Sequence, residues 1–176
     1  MASVAGMLAD RRDGSTPLWC PWPLPSGWLV TGVGWAGDER RVQATVVACS
    51  GPSPLHGGPA DLVVVAEEPG VGLGNHLAGL PGTDPGLAGC AERTAHARVR
   101  SGGRDTPLWS VGDATDRVAY VGEARGVWLY AVGFPPDAGY ELSERIELHD
   151  LAEWVPPELV YGAPSPYLVS PAGSSY

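Results

Sequence analysis

Val127-Trp128-Leu129-Tyr130-Ala131-Val132-Gly133-Phe134 carries no charged side chain at either its odd or its even positions. Side chains alternate between the two faces of an extended chain, so a segment apolar on both is expected to be a central strand, covered above and below. It is far shorter than the roughly 20 apolar residues that a membrane-crossing helix takes. Upstream, the turn Glu123-Ala124-Arg125-Gly126 joins it to a strand read over Arg117 to Gly122. Downstream, a loop containing Pro135-Pro136-Asp137 leads to a strand over Arg145 to His149, and Thr106-Pro107-Leu108-Trp109 precedes the whole set.

The first half of the chain repeats this order. Thr16-Pro17-Leu18-Trp19 precedes strands expected at about Trp28 to Trp35, Val42 to Cys49 and Leu62 to Glu67, separated by the polar turn Asp38-Glu39-Arg40 and a Pro/Gly loop from Gly51 to Pro59. The resulting expectation is an α+β, β-rich fold made of two similar three-stranded antiparallel meanders, an internal duplication with halves at about 16–67 and 106–149. One or two short helices accompany them, the first around Leu73 to Leu80 and the second after Asp150, a residue suited to an N-cap. Residues 15–162 are read as one domain, with a flexible N-terminus over 1–14 and an extended tail over 163–176. The junction of two such halves is a favoured place for a ligand pocket.

A chain of 176 residues can bury roughly 70% of the surface its unfolded form exposes, so no staple is needed. Its 25 Gly and 18 Pro read as turns between short strands, because seven Trp, six Tyr and runs such as Leu62-Val63-Val64-Val65 supply the apolar bulk that disordered chains lack. All 11 basic residues are Arg, against 20 acidic ones, for a net charge of −9. An acidic chain without a basic run repels phosphate backbones, so no nucleic-acid partner is expected. The absence of Lys excludes Schiff-base, PLP-lysine and P-loop chemistry. With no signal-peptide core and no membrane segment the chain is expected to be cytoplasmic, without a membrane partner. Cys20, Cys49 and Cys90 show no Cys-x-x-Cys spacing, which argues against a disulfide framework or a cysteine zinc site, and no cofactor is expected.

Four strings, Pro21-Trp22-Pro23-Leu24-Pro25, Ala48-Cys49-Ser50-Gly51-Pro52, the run Val65 to Gly74, and Gly122 to Leu129, together resemble an uncharacterised actinobacterial family labelled as a domain of unknown function. The resemblance runs from about Thr16 to Ser170. It implies no catalytic residues, although some members carry the label phosphotransacetylase. Relatives of this kind begin with a cysteine-rich, zinc-ribbon-like segment, whereas Met1 to Gly14 contains no cysteine. Lys avoidance beside Arg, Ala, Gly and Pro richness suggests a GC-rich genome.

Several constellations invite a functional reading. Glu67-Glu68-Pro69-Gly70-Val71-Gly72-Leu73-Gly74 stands at a strand end where glycine amides can approach an anion. Two carboxylates oppose a phosphate, and Asn75 occupies the third glycine position of a dinucleotide fingerprint, so a cationic or hydroxyl-bearing ligand suits Glu67 and Glu68 better. Cys49, at another strand end, is a candidate nucleophile with His56 or His76, or else a buried core thiol. His56, His76, His96 and His149, with Asp61, Asp84 or Glu92, lack the i, i+2 or i, i+4 spacing of a metal site. Arg125 is a candidate anion fork oriented by Glu123. Trp19 and Trp22 lie in a proline-dense strap that closes the core or caps a pocket. The favoured reading is a non-catalytic module for a protein or small-molecule ligand. Its aromatic pocket would lie near Trp19, Trp22 and Trp128, with Glu67, Glu68, Glu123 and Arg125 at the rim. The alternative is a small hydrolase or acyl-transfer enzyme built on Cys49.

Overall fold

The computed structural model describes residues 16–38, 40–143, 146–163 and 165, so the expected N-terminus over 1–14 and most of the expected tail lie outside the described residues. Among the described residues the strands are β1 (Trp19–Pro21), β2 (Leu29–Gly37), β3 (Val42–Pro52), β4 (Pro59–Glu67), β5 (Ala97–Ser101), β6 (Arg104–Val111), β7 (Val118–Ala124), β8 (Val127–Phe134) and β9 (Ile146–Asp150). They form a 9-stranded sheet in the order β1-β9-β5-β6-β7-β8-β4-β3-β2. Every pairing between these strands is antiparallel except β5 with β9. A short helix, α1 (Leu73–Ala78), and two 3-10 segments, Cys90–Glu92 and Pro136–Ser143, complete the described elements.

The central position of β8 follows from its composition, and β4 obeys the same rule. On β4, Ala60, Leu62, Val64 and Ala66 point into one apolar cluster with Leu129 and Ala131 of β8, while Val63 and Val65 join Tyr130 and Val132 in another. Both faces are therefore covered. Each fully buried Val or Leu contributes about 1.5–3 kcal/mol of transfer free energy. Leu73, Leu77 and Leu80, from α1 and the residue pair after it, cover the outer cluster.

The inner face is concave because the sheet curls into a half-barrel. Edge strand β1 leans across it onto β3 and β4. Two threonines fasten the approach: Thr16 Oγ1 donates to the Val42 carbonyl at 2.9 Å and Thr45 Oγ1 donates to the Pro17 carbonyl at 2.5 Å. The proline strap then runs along the open end. Its Trp22 amide bonds to the Glu147 carbonyl at 2.8 Å, and Trp28 is buried against Gly51, where a Cβ would lie 2.4 Å from the indole.

The β2-β3-β4 meander, the β7-β8 hairpin and α1 fall where the residue pattern places them. The second meander does not. The strand after Pro135-Pro136 is β9, which pairs with β1 and β5, because the intervening 3-10 segment carries the chain across the concave face. β8 is flanked by β4 instead. β5 lies between the two expected halves, outside both, and Asp150 caps a turn, not a helix, accepting from the Leu18 amide at 2.8 Å and the Ala152 amide at 3.0 Å.

The two Thr-Pro-Leu-Trp units agree only in part. Leu18 and Leu108 both enter the inner core. Trp19 is buried beside Leu18, whereas Trp109 faces the other side, half-exposed, with its indole N–H on the Arg93 carbonyl at 3.4 Å.

Candidate functional site

The curled sheet has two unlike ends. At one, the loop after β3, the entry to β5 and the 3-10 segment Pro136–Ser143 surround a cleft of about 580 Å³ lined by Leu55, His96, Tyr120, Asp137, Tyr140 and Leu142, among others. That volume lies within the usual range of small-molecule sites. Alternation along β7 sends Ala119 and Val121 outward and Tyr120 inward, where its ring packs on the core. Glycine is required opposite it: a Cβ on Gly139 would stand 2.7 Å from Val118 Cγ1 and 3.4 Å from the Tyr120 hydroxyl.

Polar groups converge on this cleft from separate parts of the chain. Asp137 accepts a hydrogen bond from Ser53 Oγ, and His56 Nε2 stands 4.0 Å from the same carboxylate oxygen. Ser53 Oγ in turn receives the amides of Leu55 and His56 at 3.3 and 3.4 Å, which orders the loop. His96 Nδ1 accepts the Ser110 amide at 2.9 Å, so the proton of the neutral ring sits on Nε2. Burial, and secondarily the neighbouring Tyr140 phenol, raises the Tyr120 phenol above its ordinary range. Its hydroxyl makes no hydrogen bond to the described residues. Leu55 and Tyr140, each 57% exposed, form an apolar lip.

The residues that sequence reasoning placed at a rim are distributed differently. Glu67 is 0% exposed; its Oε2 accepts the Gly74 amide at 3.0 Å at the start of α1, and its Oε1 has no hydrogen-bond partner. The carboxylate therefore fills the place where the glycine-rich segment would have received an anion. Tyr130 lies beside it, donating to Asn75 Oδ1 at 2.7 Å, and burial together with the nearby Glu67 carboxylate pushes its phenol pKa upward. Gly74 admits that ring, since a Cβ there would come within 2.3 Å of it. Glu68, just past β4, pairs with Arg41 of the β2-β3 turn. Register sets Glu67, Trp128 and Glu123 in one cross-strand row on the outer face.

Arg125 does not pair with Glu123. It bonds Asp150 at 3.3 Å and Glu153 at 2.9 Å, and its guanidinium lies 4.9 Å above the Trp19 ring. Its φ of 55° is left-handed, as the two-residue Arg125-Gly126 turn requires, at a cost of roughly 1–2 kcal/mol that these contacts offset. Trp19 is thus a buried floor under Arg125 and Trp22 is part of the strap, so the expected tryptophan pocket is filled by the protein itself.

Cys49 is 0% exposed on the inner face, and the adjacent Cys20 thiol, then burial, push its pKa well above the ordinary thiol range. A nucleophile needs the opposite shift. His76 is exposed on α1, across the sheet, and His56 belongs to the Asp137 cleft, so neither is brought to Cys49. Among the described residues, no three of His, Cys, Asp and Glu gather as metal ligands, and no helix is long and apolar enough to cross a membrane.

Tyr120, Asp137, Tyr140 and His96 were not singled out together from the sequence because they come from a strand, a 3-10 segment and a loop with no common spacing. The one local signal was Tyr140, three residues beyond Pro135-Pro136-Asp137. Fold and cleft together define a β-rich fold with a curled sheet and a small-molecule-sized cleft at one end. The chain belongs to the family of unknown function DUF6758, whose model matches residues 2–168. No curated protein and no solved structure matches it.

Proposed function

We propose that the domain is a non-catalytic binding module whose ligand is a small amphipathic molecule, an apolar ring or chain ending in an amine or a hydroxyl, seated between Tyr120 and Tyr140. The observation that carries this reading is the pairing of an exposed Leu55–Tyr140 lip with an inner wall that holds an uncommitted Tyr120 hydroxyl, a His96 Nε2 donor and the Asp137 carboxylate. Apolar walls with a few convergent polar groups are the usual make-up of a small-molecule site. Two tyrosine faces beside a carboxylate favour a cationic end group over an anionic one. This reading seats the ligand at the tyrosines and not at the tryptophans; Glu67, Glu68, Trp19, Trp22 and Trp128 do not line the cleft.

Phosphotransacetylase activity is no part of the proposal, since Glu67 occupies the glycine segment that would have met a phosphate. The Lys-free, Arg- and Gly-rich composition supports an actinobacterial source, and the net charge of −9 disfavours nucleic acid. Ligand-observed NMR with tyramine, benzyl alcohol and benzoate tests the reading. Tyramine should show saturation transfer that Tyr140→Ala abolishes and Asp137→Asn weakens, with folding checked by circular dichroism. Benzoate binding as strongly as tyramine would refute it.

A further inference from the structure

The opposite end of the β5-β6 hairpin holds a second cavity, of about 390 Å³, lined by Ser101, Gly102, Arg104, Thr106, Glu123 and Arg125, among others. We infer that it is a receptor for the carboxylate of a small polyhydroxy acid.

Its construction begins with the turn. Gly102 and Gly103, with φ of 55° and 80°, close a two-residue hairpin that sets Ser101 directly opposite Arg104. Gly102 also clears space, because a Cβ there would lie 2.9 Å from Arg125 Nη2 and 3.4 Å from Trp19 Cη2. Arg125 is therefore pinned on three sides: Trp19 beneath it, and Asp150 and Glu153 on Nη1. Nη2 makes no hydrogen bond to the described residues and remains available at the cavity. Arg104, on the other wall, makes no side-chain ion pair or hydrogen bond to the described residues. Arg104 and Arg125, the latter pre-positioned, thus line the same space. Pre-positioning lowers the ordering cost of binding.

Between them lie two hydroxyls. Ser101 Oγ and Thr106 Oγ1 are 2.5 Å apart on buried residues that line the cavity. One hydroxyl proton joins the pair, which leaves the other to be donated to a guest oxygen. Of the four carboxylates nearby, Asp150 and Glu153 are bonded to Arg125 Nη1, and the two that line the cavity select among anions. Asp105 is bonded to Arg98 at 2.6 Å and so largely neutralised. Glu123 has no ion pair among the described residues, so it disfavours a dianion such as a phosphate monoester while accepting a hydroxyl adjacent to the bound group. A monoanionic carboxylate flanked by hydroxyls satisfies both arginines and Glu123 at once.

The test is a titration of the full chain at low salt with D-gluconate, D-glucose and inorganic phosphate, followed by amide chemical shifts. Millimolar gluconate should shift the amides of Gly102, Gly103 and Arg104, with glucose and phosphate much weaker. Arg104→Gln should weaken gluconate by about tenfold or more, the usual worth of a hydrogen bond to a charged group. Arg40→Gln, which makes the same charge change on the β2-β3 turn, should leave it unchanged. Glu123→Gln should raise phosphate affinity by removing the repulsion. The inference is overturned if gluconate shifts no amide of the hairpin, if Arg40→Gln weakens binding as much as Arg104→Gln does, or if phosphate outcompetes gluconate on the unmodified protein.

Discussion

Tyr130→Phe deletes one hydroxyl, the donor to Asn75 Oδ1 at 2.7 Å, and leaves the ring packed over Gly74. The cost has two parts. The bond itself is worth about 0.5–1.5 kcal/mol net, and a buried acceptor left without a partner brings the usual loss to about 1–3 kcal/mol. Asn75 keeps its place, because its amide still donates to the Pro81 and Asp84 carbonyls at 3.1 and 3.0 Å. The Glu67 carboxylate beside the phenol gains no new partner, so nothing repays the loss. We expect a destabilisation of about 2 kcal/mol, which for a domain of this size lowers Tm by about 4–8 °C. Urea denaturation followed by tryptophan fluorescence measures it, and a double-mutant cycle with Asn75→Ala isolates the pair. A coupling energy under about 0.3 kcal/mol, the level at which independent sites add, would show that the Tyr130–Asn75 bond does not anchor α1.

Three further outcomes are expected. Gly74→Ala should destabilise by about 1–3 kcal/mol through overpacking against Tyr130, although the same change in an open helix position stabilises; a neutral or stabilised variant would remove the steric argument. Native protein should react with Ellman's reagent at none of its three buried cysteines and at all three in guanidinium, and one fast native thiol would revive the nucleophile reading. Asp61, buried with Oδ1 unpartnered and Oδ2 accepting from Ser165 at 2.6 Å, has its pKa raised chiefly by burial. The folded state therefore holds that proton more tightly than the unfolded state. Its contribution is full below the unfolded carboxyl pKa and is lost as pH rises through the folded value, so Asp61→Asn should flatten the fall of Tm in that window. An unchanged pH profile would count against it.

Residue order alone determined which segments become strands where burial is two-sided or punctuation is strong. Val127 to Phe134 and Leu62 to Glu67 are apolar at successive positions, which only a covered strand tolerates, and Glu123 to Gly126 is too short to be anything but a hairpin turn. Local sequence also placed α1 between glycines. Pairing over long separations was decided elsewhere. β9 chooses β1 and β5 over β8 because a 3-10 segment with Ala138 and Leu142 in the inner core turns the chain across the concave face. Composition does not encode such a choice, since any neighbouring strand would satisfy the same backbone groups.

The candidate site shows the same division. Glu67 and Arg125 were legible as special residues, Glu67 beside a glycine run and Arg125 within a tight turn. Their roles reversed in three dimensions: burial made Glu67 the anchor of α1, and Trp19, 106 positions away, became the floor beneath Arg125. The tyrosine cleft depends on contacts such as Ser53 with Asp137, separated by 84 positions. No spacing rule spans that distance, because it is the curl of the sheet that brings the β3 loop and the 3-10 segment to one end.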